Sequence, residues 1–141
     1  MIDQQTKKRL QDLFRRENRS FLQYVNHATP WSSSGDRGLV EKLRSLGDEE
    51  MEALTDLAEW MDAKRIPLPY LGAFPTTFTN YNFVAIRKLM KPLIAEQMRE
   101  LADLEAAYAA ITDPAARATL ATLMALNRRH VSDFEQMTQA G

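Results

Sequence analysis

Cysteine is absent from the chain, and with it go disulfides, thiolate metal sites, iron–sulfur clusters and a cysteine nucleophile. Any metal has to be held by oxygen and imidazole. An excess of either charge is missing too: 18 basic and 19 acidic residues leave a formal net charge of −1, so no field recruits nucleic acid or an acidic membrane. Arg128, Arg129 and His130 make a basic cluster that is only local. The longest stretch without formal charge, residues 66–86, is long enough for a bilayer but carries Pro67, Pro69, Pro75, several threonines and two asparagines, and reads as a loop. No membrane association is expected. The first residues lead into charged helix rather than an apolar core with a cleavage site, so no secretory signal is expected and the cytoplasm is the expected location. Repeats, strand-like alternation, phosphate loops and dinucleotide fingerprints are also lacking.

What is present is helical periodicity. The chain has 141 residues, 45% hydrophobic and 26% charged, which suits one domain over residues 1–141 with a single sizeable core. A first helix is expected from an N-cap at Asp3 to about His27, stopped by Thr29-Pro30, with Leu10, Leu13, Phe14, Glu17, Phe21, Tyr24 and Ala28 on one face. A second is expected over residues 37–64, its stripe passing Gly47-Asp48 without loss of phase and including Glu50. The loop that follows is long but apolar enough to pack down, and its aromatics, Tyr70, Phe74, Phe78 and Tyr81, are read as packing rather than as a ligand cage. A third helix is expected over residues 82–111, with Pro92 kinking it or marking its true start. Thr112-Asp113-Pro114 opens a fourth, to about Thr138, with Asn127 and His130 on its inner face. Four long helices with short, long and short connections make an all-α four-helix bundle with one crossover.

Each of these helices places a polar residue in mid-stripe: Glu17, Glu50, Glu96 (or Glu100, one turn on), and Asn127 with His130. A buried carboxylate needs a metal, a cation or a proton. Carboxylates from two helices joined by Glu-x-x-His from two others form the ligand set of di-iron carboxylate bundles.

The sequence Gln23-Tyr24-Val25-Asn26-His27-Ala28, following Glu17, resembles the first helix of bacterioferritins. Glu50-Met51-Glu52-Ala53 and Asn127-Arg128-Arg129-His130 resemble that family's second- and fourth-helix metal motifs. The resemblance runs over essentially the whole chain and implies a ferritin-like four-helix bundle, left-handed, with the long crossover between helices 2 and 3. It also implies a di-iron centre, but an incomplete one. Where the family has histidine this chain has Ala53, and where it has glutamate this chain has Asn127.

Two readings of the remainder follow. In one, Glu50, Glu96 and His130 hold a single iron, manganese or zinc ion with open positions, supported by Glu17 and Asn127. In the other the core is metal-free, and its carboxylates share a proton or pair with a protonated His130. The resemblance implies a ferritin-like protein that forms no cage, with a binding or structural role, and a homodimer through helices 1 and 2. Its enzyme-class alternative is an iron-dependent oxidase using Glu17, Glu50, Glu96 and His130. Met51 falls where bacterioferritins bind haem between two subunits, which implies a haem-bridged dimer as a further alternative. For Tyr24 the expectation is a hydroxyl bonded to a core glutamate, and His27 is expected to sit at a helix C-terminus.

Overall fold

A computed structural model describes residues 2–28 and 30–140, and the side chain of Ala140 is outside that description, as are Thr29 of the expected helix stop and Gly141. The protein is all-α, with helices α1 (Gln4–Asn18), α2 (Phe21–Ala28), α3 (Arg37–Ala63), α4 (Met90–Ala110) and α5 (Pro114–Ala140). Among the described residues no helix is long and apolar enough to cross a membrane.

The expected first helix is divided. Its stripe keeps phase from Leu10 to Val25, yet the backbone leaves the helix at Arg19, whose N–H closes on Arg16 at 3.0 Å. Asn18 turns its side-chain amide back to the Phe14 carbonyl (2.8 Å), and the Ser20 hydroxyl accepts the Gln23 N–H at 3.2 Å, starting α2 afresh. By contrast α3 passes Gly47 unbroken, as the stripe required. The glycine serves a close approach: a Cβ there would fall on the Asn26 side-chain nitrogen. Gln23 and Asn26 lie across α3 and donate to the Gly47 and Leu43 carbonyls at 2.9 and 3.1 Å.

The third helix starts later than residue 82. Phe83 has φ +65°, which no helix admits, and the Ile86 N–H is drawn to the Trp31 carbonyl at 2.8 Å. Short 3-10 turns fill Thr76–Tyr81 and Ile86–Leu89, and α4 begins at Met90 with Pro92 in its first turn, where a missing N–H costs nothing. Pro92 thus marks the true start.

Two apolar clusters organise the packing. One gathers Leu10, Leu13, Leu54, Leu57, Leu104 and Leu120, and the other Phe21, Leu22, Leu43, Leu46, Leu93 and Phe134. Following the chain between them gives the directions: α1 and α2 run from the first cluster to the second, α3 and α4 run back, and α5 returns. The main contacts join α1 and α2 to both α3 and α4, and α5 to both as well. The α3–α4 connection therefore travels the length of the molecule. It is tied on the way to Gln11 of α1, through the Pro67 carbonyl (2.8 Å), and to Arg19 just past the end of α1, through the Gly72 carbonyl (2.7 Å).

Candidate functional site

Between the two apolar clusters lies a layer of buried polar side chains. Every rod contributes: Glu17, Ser20 and Gln23 from α1, α2 and the residues joining them, Glu50 from α3, Gln97 from α4, and Asn127 and His130 from α5. Glu17, Glu50, Gln97, Asn127 and His130 border a cavity of about 20 Å³. That is room for one water or one ion.

The α3 side of the cavity is well supplied with donors. Ser20 donates to Glu50 Oε1 at 2.5 Å, Gln23 Nε2 donates to the same oxygen at 3.1 Å, and the Gln97 amide is also in reach. Burial pushes the Glu50 carboxyl up to about 7, while those three donors hold it down from going further. Glu17 is pushed up to about 8, first by burial and then by the charge of Glu50. Glu100, from α4, is raised well above the ordinary carboxyl range, first by burial and then by the charges of Glu17 and Glu50. Its Oε2 has no donor directed at it. A protonated Glu100 accounts for both facts.

The α5 side is different. Asn127 Oδ1 and both ring nitrogens of His130, a residue only 1% exposed, are buried without a hydrogen-bond partner among the described residues. Burial holds the His130 imidazole below its usual range, so it is neutral at pH 7 and does not pair with the core carboxylates in the way the metal-free reading allowed. Its nearest carboxylate is Glu49, 4.0 Å from Nε2 and itself bound to Arg129.

The expected site residues divide accordingly. Glu17, Glu50, Asn127 and His130 come together around the cavity. Glu96 does not: it is partly exposed, 3.4 Å from Arg99, and lines a surface groove beside Arg15, Arg16, Arg19 and Glu100. Glu100 borders that groove and not the cavity, and it is the α4 carboxyl close enough to feel the charges of Glu17 and Glu50. Met51 is 41% exposed on α3. Tyr24 donates to Asn82 of the crossover rather than to a core glutamate, and Phe74 and Phe78 pack on it with ring centroids 5.4 and 5.6 Å away. Ser20 and Gln97 were not anticipated as partners of Glu50. The Ser-x-x-Gln spacing of Ser20 and Gln23 is the signal that marks a helix start there.

In kind, the donors suit one divalent ion: carboxylate, amide oxygen and imidazole. They do not suit two, because Ala53 offers no ligand and Asn127 no bridging carboxylate. Among the described residues no three His, Asp or Glu side chains converge as a ready-made cluster. An ion that entered would have to displace the proton that burial keeps on Glu17.

No protein-family model matches this chain, and no curated protein or solved structure matches it either.

Proposed function

We propose that this is a ferritin-like protein whose di-iron carboxylate site has degenerated to a single divalent-metal position, giving it a binding rather than an iron-storing role. The observation that carries the proposal is the unpartnered pair on α5. Asn127 Oδ1 and the His130 nitrogens are buried beside a one-ion cavity that Glu17 and Glu50 also border. Leaving such groups unsatisfied costs about 1–3 kcal/mol each, so a fold that keeps them favours a ligand for them. The directions of the helices and the full-length connection from α3 to α4 support a ferritin-like bundle with its crossover between the second and third rods, and the left-handed form is part of the proposal. Glu17, Glu50 and His130 are the proposed ligands, with Asn127 supplying a neutral oxygen. An ion held there would supply Lewis acidity at one point. Glu17 would surrender the proton that burial keeps on it, and the two apolar clusters would keep bulk water out. Dimerisation through the first two rods belongs to the same proposal.

The test is metal analysis and an absorption spectrum on protein purified without added metal, repeated after anaerobic iron(II) and then air. One bound ion per chain without a ferroxidation signal is the expected result. Two irons that oxidise together would replace this reading with the iron-dependent oxidase, and a strong Soret band would replace it with haem held at Met51.

A further inference from the structure

Beyond the core, the outer end of α2 meets the crossover in a surface pocket of about 440 Å³, walled by Tyr24, His27, Trp31, Phe74 and Phe83. It shares no residue with the core cavity. Trp31 and Phe83 are 64% and 76% exposed, an expensive way to place large rings. Phe83 is held at φ +65°, a conformation that a bulky residue adopts only where its surroundings impose it. The imposed conformation sets its ring against Trp31, with centroids 6.1 Å apart and planes inclined by 60°. The other walls are inclined as well: Tyr24 to Phe74 by 71°, and His27 to Phe74 by 59°.

Inclined walls do not make a slot for a flat ring, which needs parallel faces. They make a rounded enclosure. Among the described residues no carboxylate, lysine or arginine lines it, so a hard metal ion finds no ligand there. Ala28, the last residue of α2, brings the negative end of a helix dipole to one wall, and an aromatic face offers a guest the negative side of its quadrupole, as Phe74 already does to the Arg19 guanidinium 5.1 Å from its centre. A soft cation with an apolar coat matches that combination, and a strongly hydrated one does not.

We propose that this pocket binds a quaternary ammonium group. Trp31 and Phe83 enclose the head, Tyr24 and Phe74 form the floor, and the remaining volume takes the rest of the molecule. The Tyr24 hydroxyl is already committed to Asn82, which fixes the ring in place.

The experiment titrates the full chain with choline, followed by calorimetry and by Trp31 fluorescence, alongside 3,3-dimethylbutan-1-ol, the neutral molecule of the same shape. Choline is expected to bind saturably and about tenfold or more tighter than the neutral alcohol. Trp31→Leu is expected to weaken choline about tenfold. Phe83→Gly separates a binding role from a structural one, because it relieves the backbone strain: its midpoint for thermal unfolding should stay or rise while choline binding falls about tenfold. Vesicles of phosphatidylcholine distinguish a lipid headgroup, which would bring the protein down with them, from a free solute, which would leave it in solution with choline bound. Equal affinity for the neutral alcohol, unchanged choline binding in both variants, or sedimentation showing two copies that bury Trp31 against each other would overturn the proposal.

Discussion

Glu50 and His130 face each other across one small cavity and are served by their surroundings in opposite ways. The carboxyl of Glu50 has donors from Ser20, Gln23 and Gln97, whereas the imidazole of His130 has none. Both side chains are buried, so the contrast is not one between core and surface. It comes from which rod faces which: α2 starts at Ser20 and lays Gln23 across α3, while no side chain around His130 comes within hydrogen-bond reach of its ring nitrogens among the described residues. Where a polar group is held by partners from its own fold, it needs no ligand. Where it is not, the fold has left room for one.

The contrast has energetic consequences. The largest is in pH. Between the unfolded value of 4.5 and the raised values of about 7 for Glu50 and about 8 for Glu17, the folded chain keeps protons that the unfolded chain has released. Stability should therefore fall as pH rises from 5 to 8, by about 1.4 kcal/mol per unit for each carboxyl at most, and level off beyond. On the acid side Asp3 and Asp36, both held low by hydrogen bonds, lose their contribution as pH drops below 4. Urea midpoints measured across pH 4 to 9 should peak near 5, and a curve flat from 5 to 8 would mean the layer is ionised and otherwise compensated.

Next in size is the satisfied side. Gln23→Ala removes the bonds to Glu50 and to the Gly47 carbonyl together, at an expected cost of about 2 kcal/mol by denaturant unfolding. Gly47→Ala breaks the same seam sterically by pushing Asn26 off α3, at about 1–2 kcal/mol. The smallest effect is of opposite sign. His130→Leu in metal-free protein should raise stability by up to about 1 kcal/mol, because it removes two unpartnered nitrogens and keeps the volume. A loss of similar size would show that something in the cavity already satisfies the imidazole.

The rods were legible in the sequence because their apolar stripes keep helical phase over many turns, and a carboxylate in mid-stripe is conspicuous. That placed Glu17, Glu50, Asn127 and His130 correctly around one cavity. The break at Arg19–Ser20 was not legible from periodicity, since the stripe continues across it; it is written in the Ser20 and Asn18 side chains, which compete for the backbone. Glu96 and Glu100 sit one turn apart at the edge of one stripe, and periodicity cannot choose between positions only about 40° apart around a helix. The choice depends on how α4 is turned about its axis, which brings Glu100 near Glu17 and leaves Glu96 paired with Arg99 of the same helix. Least legible was the asymmetry of the layer, because the partners of Glu50 arrive from other rods and no single-helix pattern contains them.

The most direct test of the account is the stoichiometry of cobalt(II) binding at pH 8, where metal competes least with the core protons, read by calorimetry and by the d–d absorption of the bound ion. The account predicts one ion per chain, lost in His130→Leu and retained in Glu96→Gln. Two ions per chain, or binding that ignores His130 and requires Glu96, would contradict it.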